Sequence, residues 1–370
     1  APMASCVQSG RATRRASFTN SAATRTPLAA ITAPTASRPL SAVRTTPRSR
    51  TAATAAAVAA SAAENPPAVA EVAKLKAPTL DELLNRELDE GDALLIGAGD
   101  IADCDSEAQK QHAVDTAKII DRFPNATVFT LGDNAYLNGD DPEFKKCYET
   151  TWGRFKNRTY PSPGNHDYGI YQLPRRNNAD PYFDYFGSNA GPGGLGYYSY
   201  DLGQWHLVSL NSMADKKGAP KMADQRAWLE KDLEGKESTC VLAYWHHPLF
   251  TSGEHADDKK DPGRSMGSLW SVLRKHKAEV ILNGHDHHYE RFDRQDEKQA
   301  ATASGIQEFL VGTGGGDDRG LGKTKAFGLN SKKVILHVYG VLLLTLHPNS
   351  YEWHFIDTAG KPYSCPDQGL

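Results

Sequence analysis

Four short apolar runs limit how this chain can fold. Residues Ala93–Ala98, Thr127–Leu131, 239–244 and 278–282 are too short for ordinary helices, and each meets a glycine turn or a histidine at or just beyond its end. They read as buried strands, and the helical stretches between them call for a mixed α/β core of sheets flanked by helices. Just past these runs stand residues that can ligate a metal: Asp100, Asp133, His246, and His285 with His287. A strand end holds such a side chain firmly, and a glycine lets the backbone turn beside an ion. In Gly284-His285-Asp286-His287-His288, two imidazoles at i and i+2 can reach one inorganic centre. By itself, that stretch reads more readily as a polar loop that happens to hold three histidines.

The remainder of the chain adds weight to the metal. Pro163-Gly164-Asn165-His166-Asp167 supplies another glycine turn with ligand-capable residues. Asp100, Asp133, Asn165, His246, His285 and His287 are too many ligands for one ion. Two ions sharing a carboxylate fit the count and suit phosphate ester hydrolysis. Mixed oxygen and nitrogen donors favour Fe, Mn or Zn over Ca or Mg.

Gly99-Asp100-Ile101-Ala102, Gly132-Asp133-Asn134-Ala135-Tyr136, Gly164-Asn165-His166-Asp167, Tyr244-Trp245-His246 and Gly284-His285-Asp286-His287 stand in the order seen in calcineurin-like metallophosphoesterases. More narrowly, the set resembles the short, single-domain purple acid phosphatases over roughly residues 92–357. The superfamily's D-x-H has Ala102 in place of the histidine, and Tyr136 stands three residues after the second Asp, the exchange that marks purple acid phosphatases. Their usual D-x-G makes Ala102 a small departure, at a position that is not a ligand.

The resemblance implies an αββα sandwich of two mixed β-sheets flanked by helices. It implies Asp100, Tyr136 and His287 on a ferric ion, Asn165, His246 and His285 on a divalent Fe, Zn or Mn, and Asp133 bridging the two. It also implies hydrolysis of phosphate monoesters by a metal-bound hydroxide, with His166 on the substrate phosphate and His255 protonating or steering the leaving group. A phosphodiesterase or nucleotide hydrolase on the same scaffold is the nearest alternative. A non-catalytic binding or assembly module is another, disfavoured because every expected ligand is present.

Neighbouring residues receive plainer readings. His247 and His288 are expected to point elsewhere by strand alternation. Asp286 is expected to be exposed. Asp167 either orients His166 or caps a turn, and Gly312-Thr313-Gly314-Gly315-Gly316 reads as a turn beside the site.

The amino end is a different material. Residues 1–63 hold eight Arg and no Asp, Glu or Lys, amid Ser, Thr, Ala and Pro that cannot build a core. That pattern reads as an organelle transit peptide, plastid before mitochondrion on Ser/Thr content, with Met3 as its natural start. A secretory signal is disfavoured, because the one Ala-rich candidate stretch lies far from the start. Without this segment, 34 basic residues face 45 acidic ones, a net of −11 that argues against nucleic acid or anionic membrane as partner. A small phosphate ester remains the expected partner, and oligomeric state is left open. No apolar stretch reaches transmembrane length. Residues 64–91 read as a linker and a short helix over 80–90, and 92–370 as the catalytic domain. Further helices are expected over 106–122, 142–157, 222–234 and 266–277, with 168–195 as a surface excursion. Cys104 and Cys147 each lie downstream of a motif, so a disulfide between them and two buried thiols are equal readings.

Overall fold

The computed structural model describes residues 77–171, 178–236, 239–323 and 327–364. The transit segment expected at 1–63 and most of the adjoining linker lie outside them.

Two mixed sheets form the core. In spatial order the first holds β13 (Pro362–Ser364), β12 (Ser350–Asp357), β11 (Gly340–His347), β1 (Ala93–Ala98), β2 (Thr127–Leu131) and β3 (Thr159–Ser162). The second holds β10 (Ser331–Ile335), β8 (Tyr289–Phe292), β9 (Gln307–Val311), β7 (Val280–Asn283), β6 (Cys240–Trp245), β5 (Trp205–Ser209) and β4 (Tyr198–Leu202). Strands β1, β2 and β3 run parallel, as do β5, β6, β7 and β9. Parallel strands covered on both faces must be apolar throughout, and all six residues of β6 are buried.

Side chains from both sheets share one buried cluster, with Leu95, Phe129, Leu342 and Phe355 joined to Leu207, Leu242, Leu282 and Phe309. Helix Glu107–Asp121 adds Ala113, Ala117 and Ile120 to that cluster. On the outer face of the second sheet, Val241, Ala243 and Ile281 pack with Leu229 of helix Met222–Asp232 and with Leu269 and Leu273 of helix Gly267–Lys275. The result is the expected two-sheet sandwich flanked by helices.

Several local expectations are corrected. The first helix has its Thr79–Glu82 capping box but spans only Leu80–Leu84, because Asn85 turns back onto the Asp81 carbonyl. The stretch 142–157 is not one α-helix: Asp141–Glu143 leads into a π-turn at Phe144–Tyr148, then Glu149–Thr151, then a 3₁₀ stretch Gly153–Arg158. The wide π-turn seats Phe144 and Tyr148 against Tyr185 and Phe186, while Cys147 reaches Cys104 in a disulfide. Residues 168–195 do more than cross the surface, since helix Asp180–Phe186 buries Tyr182 and Phe186. Among the strands outside the four apolar runs, β3, β8 and β13 carry the weakest local signal. They are three or four residues long, and β3 and β13 carry a proline.

Candidate metal centre

Strands β1, β2 and β3 of one sheet and β6, β7 and β9 of the other aim their carboxyl ends at one place, where open α/β sheets hold ligands. The loops beyond them carry the site. Ala102 and Ala135 pair as a bridge that continues the parallel ladder of β1 and β2, and the Ala102 N–H donates to the Asn134 carbonyl. Asp100, Asp133 and His285 adopt positive φ values of 59°, 50° and 73°, a conformation rare outside glycine. Such strain costs on the order of 1–3 kcal/mol each. Each fully buried Leu or Phe behind the site stabilises by roughly 1.5–3 kcal/mol, so the core readily offsets it. Close approach also sets the glycines. A Cβ on Gly164 would fall 2.1 Å from Asp133 Oδ1, and one on Gly284 2.6 Å from Asp100 Oδ2.

All seven sequence-predicted ligand side chains converge. Tyr136 Oη lies 3.0 Å from Asp100 Oδ1, 3.1 Å from His287 Nε2 and 3.5 Å from Asp133 Oδ2. His246 Nε2 lies 3.0 Å from Asn165 Oδ1, 3.1 Å from Asp133 Oδ2 and 3.2 Å from His285 Nδ1. Asp133 Oδ2 therefore stands between two groups, Asp100–Tyr136–His287 and Asn165–His246–His285. Every one of these side chains is buried.

The outer nitrogen of each imidazole is already engaged, which leaves the inner one for the centre. His246 Nδ1 donates to the Leu131 carbonyl at 2.7 Å, and His285 Nε2 faces Asp261 Oδ2 at 3.0 Å. His287 Nδ1 meets the Asp317 backbone carbonyl and its carboxylate. His166 Nδ1 donates to the Leu137 carbonyl at 2.6 Å, leaving Nε2 3.6 Å from Asp133 Oδ2. His255 is half-buried, its ring centroid 4.0 Å from that of His285.

Charge is balanced by proximity. Burial opposes the Asp133 carboxylate, yet the imidazoles of His246 and His166 outweigh it and hold its pKa below the usual carboxylate range. Burial opposes a charged His246 and His287 as well, but Asp133 and Asp100 raise them to about 9 and about 10. Burial, with Asp100 and Asp133 beside it, pushes the Tyr136 phenol well above its ordinary value. The protein therefore fixes these groups by hydrogen bonds that metal ions would replace. The donor set, two carboxylates, a phenol, an amide oxygen and three imidazoles, fits a pair of ions.

Two neighbours differ from expectation, Asp286 and His247, while Asp167 takes the turn-capping alternative. Asp286 is fully buried rather than exposed. His247 faces the centre, its ring 4.3 Å from that of His285 and its Nδ1 2.8 Å from Ser212 Oγ, because β6 ends at Trp245 and alternation no longer applies. Asp167 ties loops together, accepting from Gly164 N–H at 2.8 Å and Asn134 Nδ2 at 3.0 Å. His288 does turn away, to Glu290, and the 312–316 glycines lie beside the site, Gly316 against His287 and Tyr136. Sequence reasoning misses Asp261, Asp317 and Ser212. Asp261 comes after Asp257 and Asp258 with no spacing that distinguishes it.

The calcineurin-like phosphoesterase family model matches residues 76–289, more than half the chain. Probable purple acid phosphatase 20 of Arabidopsis thaliana is 27% identical over 187 residues, 45% of this chain and 40% of that protein. The Fe(3+)-Zn(2+) purple acid phosphatase 12 of the same plant is 27% identical over 182 residues, 45% of this chain and 37% of that one. The matches thus span about 40% of these relatives' length. The structure of purple acid phosphatase PPD1 from yellow lupin (Lupinus luteus) seeds shares the fold, with a TM-score of 0.59 at 18% identity over 74% of this chain and 53% of that one. The chain belongs to the calcineurin-like phosphoesterase family and, within it, resembles the purple acid phosphatases.

Proposed function

We propose that this protein is a binuclear-metal phosphomonoesterase of the purple acid phosphatase type. The observation that carries the reading is the convergence of seven side chains into two groups that share Asp133 Oδ2. On this reading Asp100, Tyr136 and His287 hold Fe(III). Asn165, His246 and His285 hold divalent Fe, Zn or Mn, and Asp133 touches both. A phenolate is a hard anionic donor suited to Fe(III). When bound, the ions supply Lewis acidity and lower the pKa of water.

The remaining work falls to the chain's own side chains. His166, with Nδ1 fixed by Leu137, directs Nε2 toward the centre and contacts a phosphate oxygen. His255, packed on His285, gives a proton to the departing ester oxygen.

Metal analysis together with hydrolysis of p-nitrophenyl phosphate and its bis-ester tests the reading. Two metals per chain with the monoester preferred is the expected result. Preference for the bis-ester would convert the assignment to a phosphodiesterase, and absence of bound metal would leave a binding module.

A further inference from the structure

Asp286 sits between two of the proposed metal ligands, yet its carboxylate turns away from the centre into a different task. It is fully buried. It accepts from Thr251 Oγ at 2.5 Å and from the His255 backbone N–H at 3.2 Å, and His255 Nδ1 lies 2.7 Å away. The loop wraps the carboxylate closely. The Gly253 N–H donates to Thr251 Oγ at 2.9 Å, and a Cβ on Gly253 would fall 2.4 Å from Asp286 Cγ. One buried acceptor thus holds the hydroxyl, the backbone and the ring of a five-residue turn. A carboxylate at Nδ1 engages that nitrogen's N–H and leaves the opposite ring nitrogen, Nε2, free of the turn, with the ring stacked near His285.

We propose that Asp286 is a positioning residue that fixes the ring orientation of His255. The proposal rests on the phosphomonoesterase reading. In the step it serves, a water-derived oxygen bonds to phosphorus as the phosphorus–ester oxygen bond breaks. The ester oxygen takes the Nε2 proton of His255 in its imidazolium form and leaves as the alcohol, and solvent reprotonates the neutral imidazole. A purely structural carboxylate, capping the turn, would make the same contacts but would have no reason to discriminate among leaving groups.

The discriminating experiment measures kcat for glycerol 2-phosphate, a poor leaving group, and 2,4-dinitrophenyl phosphate, a good one, with metal content assayed in parallel. Asp286→Asn is expected to lower kcat about thirtyfold for the alkyl ester and about threefold for the aryl ester, with the metal content of wild type. In a His255→Ala background the same substitution is expected to add less than about twofold. Gly253→Ala, which keeps the carboxylate but crowds it away from the turn, is expected to reproduce the same selectivity. Equal losses on both esters, loss of metal, or an undiminished effect in the His255→Ala background would overturn the proposal. Wild-type protein that holds two metals and hydrolyses neither ester would instead overturn the phosphomonoesterase reading, and this proposal with it.

Discussion

One half of the centre presents a carboxylate, a phenol and one imidazole, Asp100, Tyr136 and His287. The other presents an amide and two imidazoles, Asn165, His246 and His285. Both rely on Asp133. The first half carries two negative charges once the phenol ionises, one from Asp100 and one from Tyr136, whereas the second has none of its own. On the proposed reading, that difference sorts a trivalent ion from a divalent one. The outer contacts differ too. The first half is braced by Asp317 on His287, the second by Asp261 on His285 and by the Leu131 carbonyl on His246.

If Asp133 serves both halves, Asp133→Ala should have the largest effect, abolishing both sites and lowering kcat by about a thousandfold or more. His246→Ala should be more selective, leaving close to one metal per chain in elemental analysis. Equal retention of metal by the two variants would break the distinction between shared and single-site ligands.

A smaller effect comes from proton competition. In the metal-free protein His246 at about 9 and His287 at about 10 hold protons at neutral pH. A metal must displace them, so loading releases protons and apparent affinity rises with pH until those values are passed. Affinity should fall about tenfold per pH unit for each proton displaced as pH drops below about 9. Zinc titration of metal-free protein at pH 6 and pH 8 checks the sign, and equal affinity at both would contradict it.

The legible part of this molecule is the part where residue type and strand end coincide. Asp100, Asp133, His246 and His285 stand just past apolar runs, and the parallel strands place them at one edge of two sheets as their positions imply. Tyr136 is readable only through family resemblance, since nothing in its own neighbourhood distinguishes a ligand phenol from a core tyrosine. Residues that act at long sequence separation are not legible. Asp261 reaches His285 across 24 positions and Asp317 reaches His287 across 30, in loops whose course local pattern does not set. Asp286 departs from expectation for a different reason. Outside a strand, a charged residue between two inward-facing neighbours need not point to water, and here the 251–255 turn folds over it. The break of 142–157 into π and 3₁₀ turns likewise answers to Tyr185, Phe186 and Cys104, which lie far from it in sequence.

The central claim, that Tyr136 makes the first half a ferric site, is tested most directly by the visible absorption spectrum of iron-loaded protein beside its Tyr136→Phe variant. The account predicts a broad band that colours the wild type pink or purple and disappears in Tyr136→Phe. A colourless wild type that still holds two metals would contradict the phenolate–Fe(III) assignment and point to a zinc or manganese centre on the same ligands.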